Sequence, residues 1–154
     1  MNVLFVCQGN TCRSPLAEGI LKKLYHRSGI SGLVDSAGFS PENEGISPNP
    51  LAVAVAMEHG IRIEDKRART FQQEDFTRFD IIYVMDQPVM DQVVAMAISK
   101  EAMEKVDFLM NLCNPEKNTA VPDPYNAGAI AYNSVYSLIE KACIQLENKL
   151  KHHA

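Results

Sequence analysis

The sequence predicts an α/β fold built on a parallel sheet, and three observations carry that prediction. Short strand-like apolar runs alternate with segments of helical spacing along the whole chain. The first run, Val3-Leu4-Phe5-Val6, is continuously apolar, the pattern of a strand covered on both faces. It passes through a glycine-containing loop straight into a helix start, as a strand does before crossing over to a parallel neighbour.

The elements follow in order. After the strand at 3–6 and the loop Gln8–Arg13, Ser14-Pro15 opens a helix, with proline early, where its missing N–H costs little. Ala17, Ile20, Leu21 and Leu24 recur at helical spacing, and Gly29 ends the helix. Leu33 to Ser36 reads as a second strand, and residues 37–48 as a long loop. Asn49-Pro50 caps a helix that stops at Gly60. Thr70 with Gln73 resembles a capping box for a short helix. Ile81 to Met85 is a third strand, 88–97 and 99–105 are helical, and Val106 to Leu109 is a weaker fourth strand. A loop with three prolines spans 111–128. The last helix runs from Ala129 to about Leu150, with Val135, Ile139, Ala142, Leu146 and Leu150 as its core stripe.

Composition narrows the function. The 154 residues suit one domain, 1–154, around one core. A net charge of −4 with no basic stripe argues against a nucleic-acid partner, and no apolar run approaches a membrane span. The one compact basic cluster, Lys66, Arg67 and Arg69, is flanked by Glu64 and Asp65, and Lys66 reads as part of a solvated face. No signal-peptide pattern precedes the first strand, which favours the cytoplasm. There the four cysteines, Cys7, Cys12, Cys113 and Cys143, are expected as thiols, and their spacing suggests no metal site. Cys113 and Cys143 read as packing.

Ligands in such folds sit beyond the carboxyl ends of the strands, which directs attention to Cys7-Gln8-Gly9-Asn10-Thr11-Cys12-Arg13-Ser14-Pro15. Amides from Gln8 to Cys12 and the first helical turn lack intrahelical partners and can converge on one anion, aided by the helix dipole. Gly9 and Asn10 tolerate the left-handed backbone such a cradle needs. Arg13 adds a planar fork for two phosphate oxygens. The same potential favours the ionised form of Cys7, and Ser14 is placed to donate to its sulfur. The segment therefore joins an anion receptor to an activated nucleophile.

From this loop onward the sequence resembles the low-molecular-weight protein tyrosine phosphatases. The resemblance continues through Asp35-Ser36-Ala37-Gly38, His59-Gly60-Ile61, Arg67-Ala68-Arg69, Asp80-Ile81-Ile82, Met85-Asp86 and Val121-Pro122-Asp123-Pro124-Tyr125. It implies a three-layer sandwich whose four-stranded parallel sheet has the order 2-1-3-4, with helices on both faces. It implies that Cys7 attacks a phosphorylated protein or peptide to give a cysteinyl-phosphate, that Arg13 and the loop amides hold the transition state, and that Asp123 acts first as acid and then as base. Inorganic phosphate is the product. No metal or other cofactor is implied, since the cradle itself neutralises the charge.

The resemblance also places Asn10, Ser14, Ser36 and His59 in a network that shapes the loop, and Tyr125 and Tyr132 along the substrate cleft. Read alone, Asp123 is a turn former before proline, and His59 a helix C-cap. Cys12 is either a small core residue or a partner for Cys7 in a reversible disulfide.

Two departures bear on substrate. Glu42 takes a position often aromatic in the family, so that wall is open, acidic, or rebuilt by Phe39; an acidic wall disfavours acidic phosphopeptides. Thr11 takes a position that is Thr in branches acting on phosphoarginine, whereas Tyr125 favours phosphotyrosine. The expected function is therefore a protein tyrosine phosphatase, with a protein-arginine phosphatase as the alternative. An arsenate reductase would need relay cysteines mid-chain, where none occurs, and a pure phosphate binder would need neither Cys7 nor Asp123.

Overall fold

The structure, a computed structural model, describes residues 1–152. Four parallel strands, β1 (Val3–Val6), β2 (Val34–Ala37), β3 (Ile81–Val84) and β4 (Val106–Phe108), form one sheet in the order β2-β1-β3-β4, as the resemblance implies. β1 is central, in register Val3↔Val34 on one side and Val3↔Ile81 on the other.

All four β1 side chains are buried, but they serve opposite faces. Val3 and Phe5 meet α1 (Arg13–Ser28), α2 (Pro50–Glu58) and α6 (Ala129–His152), through Leu16, Ala52 and Ile139 among others. Leu4 and Val6 meet the short α3 (Asp75–Arg78), α4 (Gln87–Met96) and α5 (Lys100–Glu104), through Phe76, Val93 and Ala102. Period-two alternation in the central strand thus divides two apolar layers, which is why its sequence reads as uninterrupted apolar residues.

Several boundaries differ from the sequence reading. α1 begins at Arg13, with Cys12 as N-cap, and β2 lies one residue later than predicted. Thr70 does not open a helix. It forms a parallel bridge with Gly38, and its N–H and hydroxyl donate to Glu44, while the helix waits until Asp75, whose carboxylate accepts the Gln72 N–H at 2.8 Å. A long-range pairing outcompetes the local cap there. Lys66 is not solvated: its side chain is 12% exposed, with Nζ 2.8 Å from Asp35 and 3.3 Å from Glu18. Among the described residues no helix is long and apolar enough to cross a membrane.

The α1 packing is testable at Gly19. A methyl group there would lie 2.7 Å from Ile63 Cγ2 and 2.9 Å from Ile61 Cγ2, both in buried side chains. Overpacking of this kind costs about 1–3 kcal/mol, more than the ~1 kcal/mol that alanine recovers in helix propensity. Gly19→Ala is therefore expected to lower the urea midpoint with an unchanged m-value; a raised midpoint would contradict the packing described.

Candidate active site

The loop between β1 and α1 is closed by bonds that point away from its centre. Its carbonyls are taken by neighbours: Gln8 O accepts Phe39 N–H at 2.8 Å, Gly9 O accepts Asn43 Nδ2 at 3.1 Å, and Thr11 O accepts Asn49 N–H at 2.9 Å. The amides of Gln8, Gly9, Thr11 and Cys12 find no acceptor among the described residues. With carbonyls out and amides in, the loop is an anion cradle at the N-terminus of a sixteen-residue helix.

Asn10 makes that shape possible. Its backbone is left-handed, with φ 54°, a conformation Asn tolerates better than most residues. Its amide is buried and fully used: Oδ1 accepts the Arg69 N–H at 3.0 Å, and Nδ2 donates to Ser14 Oγ at 2.8 Å and Ser36 Oγ at 3.0 Å. Ser36 in turn donates to Glu18 at 2.6 Å. Because Ser14 accepts from Asn10, its own proton is free to point at Cys7 Sγ, 3.0 Å away. The sulfur also receives the Asn10 N–H at 3.3 Å. Two donors thus stand ready to stabilise a negative sulfur.

Arg13, 3% exposed, is anchored by Nη1, which donates to Asp86 at 2.8 Å and to Val121 O at 2.9 Å. Burial alone would lower its pKa, but Cys7, Asp86 and Asp123 together more than offset this and hold it above the ordinary guanidinium value. With Nη1 occupied, the Nε–Nη2 edge of the fork is left for a ligand. Asp123 Oδ2 lies 3.7 Å from Nη2, and its Oδ1 accepts the Tyr125 N–H at 3.0 Å, so the turn-forming reading of this Asp also holds. The Val121 N–H donates to Met85 O at 2.8 Å, which fastens this distant loop to the end of β3.

These residues open onto a cleft of about 490 Å³, lined by Cys7, Gln8, Arg13, Glu42, Asp123 and Tyr125, with Gly9, Thr11 and Cys12 beside them. Two sequence-derived placements need correction. Tyr132 does not line the cleft: it is 1% exposed, and its hydroxyl lies 3.3 Å from Cys12 Sγ beneath the loop. His59 stands outside the Asn10 network, its ring stacked on Tyr136 at 4.0 Å, because α2 ends against α6. Phe39 packs on Phe71 and rebuilds no wall, so Glu42 itself faces the cleft. Burial pushes the Cys12 thiol up, against the lowering hydrogen bonds of Tyr132 and Thr11. Asp86 was not singled out by sequence reasoning; a lone acidic residue at the end of β3, opening α4 as its N-cap, is the signal that points to it.

Comparison with known proteins gives the family and the fold. A family model described as low molecular weight phosphotyrosine protein phosphatase matches residues 2–154. The enzyme of that name from Sus scrofa is 34% identical over 153 residues, covering 97% of this chain and 96% of its own. A protein tyrosine phosphatase structure from Entamoeba histolytica superposes with TM-score 0.91 at 31% identity, covering 99% and 98% of the two chains. A structure of the YwlE arginine phosphatase superposes with TM-score 0.87 at 27% identity, covering 98% and 96% of the two chains.

Gly38 tests how tightly the cradle is held from outside. A methyl group there would lie 2.9 Å from both Gln8 O and Asn10 Cβ and 3.0 Å from Asn10 N, and the backbone atoms cannot yield. Gly38→Ala is expected to weaken inorganic phosphate binding by roughly tenfold in calorimetry, about 1.4 kcal/mol, although no residue contacting the anion has changed. Unaltered affinity would contradict the external bracing of the loop.

Proposed function

Because this chain belongs to the low molecular weight phosphotyrosine protein phosphatase family, hydrolases of phosphoric monoesters, we propose that Cys7, Arg13 and Asp123 carry its chemistry within a single phosphatase domain. The observation that carries this assignment is the pair of donors on Cys7 Sγ, from Asn10 and Ser14, at the foot of a cleft that also holds Arg13 and Asp123.

A phosphotyrosyl side chain of a protein or peptide enters the cleft beside Tyr125, and its phosphate enters the cradle. The loop amides and the free edge of Arg13 bind the nonbridging oxygens and hold them as the transition state forms. The Cys7 sulfur attacks phosphorus in line with the phenolic oxygen. The P–O bond to the ring breaks, and Asp123 gives its proton to the departing oxygen. Water then attacks the cysteinyl-phosphate, Asp123 takes the water's proton, and the P–S bond breaks to release inorganic phosphate and the Cys7 thiolate. Ser14 stabilises that sulfur as it leaves. The buried Ser36 acts through Asn10 and is a positioning residue, as is Asp86 through Arg13, whereas Ser14 touches the sulfur itself. The need for a free thiol at Cys7 fits a reducing cytoplasm.

A protein-arginine phosphatase is the second reading, favoured by Thr11 in the cleft lining and by the likeness to YwlE. Tyr125, 60% exposed at the mouth, favours an aromatic phosphoester instead.

Cys7→Ser is expected to lower turnover by about 10³-fold or more, and Asp123→Ala by about 10²–10⁴-fold while leaving competitive inhibition by phosphate in place. Steady-state rates on a phosphotyrosine and a phosphoarginine peptide, with wild type and Thr11→Ile, assign the substrate. Phosphotyrosine is expected to be preferred by both forms. Undiminished turnover in Cys7→Ser would overturn the assignment, and a phosphoarginine preference abolished by Thr11→Ile would establish the second reading.

A further inference from the structure

The cleft is lined by more negative than positive side chains. Its one lining cation, Arg13, is buried at the floor and already faces Asp86 and Asp123. The rim carries two carboxylates and no lysine. Of these, Asp123 has partners in Tyr125 and Arg13, whereas the exposed Glu42 makes no hydrogen bond or ion pair among the described residues.

The backbone of Glu42 is nonetheless held in place. It sits inside the 3-10 turn Pro41–Asn43, closed by Asn43 N–H to Ser40 O at 3.0 Å and Glu44 N–H to Pro41 O at 3.1 Å. The next residue, Asn43, is fastened by its side-chain amide to Gly9 O of the cradle. The backbone that carries this carboxylate is therefore braced against the cradle. An unpaired negative charge carried on a braced backbone beside a dianion site repels every phosphate that arrives alone. It favours one that brings a cation with it.

We propose that Glu42 makes the enzyme selective for phosphotyrosines with lysine or arginine as an immediate neighbour. This rests on the phosphotyrosyl reading above. With the phosphorylated ring in the cleft, the peptide backbone must lie along the rim, within reach of Glu42. The pair formed there is solvent-exposed, so the preference is a few-fold and falls with ionic strength. Peptides flanked by acidic residues meet both Glu42 and Asp123 and are discriminated against.

The test uses three phosphotyrosine peptides identical except that both flanking residues are Lys, Gln or Glu, with wild type, Glu42→Gln and Glu42→Lys, at low and high salt. For wild type at low salt, kcat/KM is expected to fall in the order Lys, Gln, Glu by roughly three- to fivefold per step. Most of the effect should be in KM, and the steps should narrow at high salt. Glu42→Gln is expected to compress the spread toward twofold or less, and Glu42→Lys to reverse the order. Equal wild-type turnover on the three peptides, or an unchanged spread in Glu42→Gln, would overturn the role of Glu42 alone. Absence of wild-type turnover on all three would overturn the phosphotyrosyl reading together with it.

Discussion

Several amide N–H groups aimed at one point repel one another, and a free loop would turn some of them to water. In this protein they stay convergent because the carbonyls between them are bonded outward, to Phe39, Asn43 and Asn49, and because Asn10 is pinned in a left-handed conformation. The Asn10 side chain meets three separate segments: the Arg69 backbone, Ser14 on α1 and Ser36 on β2. The cradle's shape is thus held by tertiary contacts that involve no anion. Preorganised dipoles of this kind need no reorganisation when charge develops on a reacting phosphoryl group.

Beneath the cradle lies a chain of charges. Glu18 accepts from Ser36 and meets Lys22 and Lys66; Lys66 meets Asp35; Asp35 meets Arg69; and Arg69 meets Asp75, which is 1% exposed. Burial raises the Asp35 pKa, but Lys66 and Arg69 more than offset it, and the carboxyl ionises below the usual range. Partly buried ion pairs contribute little net stability, yet removing one partner is costly because the other is left uncompensated. Such a chain sets geometry: it fixes where Ser36 and Arg69 stand, and they fix Asn10. The catalytic groups farther off are delivered in the same way, Arg13 by Asp86 and the Asp123 loop by the Val121–Met85 bond.

What the sequence disclosed follows the range of the interactions. The strand–loop–helix that holds Cys7 and Arg13 is contiguous, so its chemistry is legible in nine residues, and the buried sheet shows in the uninterrupted apolar run of β1. The Arg13–Asp86 pair spans 73 residues, and its only local trace is an N-cap aspartate after β3 that does not name its partner. Lys66 belongs to a charged run, and only the fold shows that Glu18 and Asp35 converge on it. Thr70 carries a credible local cap pattern that loses to pairing with Gly38. Tyr132 precedes Val135 and Tyr136 by three and four positions, the spacing of one helix face, so helical periodicity already pointed inward rather than to the cleft.

The claim on which the chemistry depends is that one ring of amides and a guanidinium both captures phosphate and keeps the Cys7 sulfur nucleophilic. Timed alkylation by iodoacetate at neutral pH, read by peptide mass spectrometry at each cysteine with and without inorganic phosphate, tests both halves at once. All three of Cys7, Cys12 and Cys143 are buried, so exposure does not separate them, yet Cys7 is expected to label far faster than the other two, and phosphate is expected to slow it competitively. Labelling of Cys7 no faster than of Cys12, or a rate indifferent to phosphate, would contradict the account.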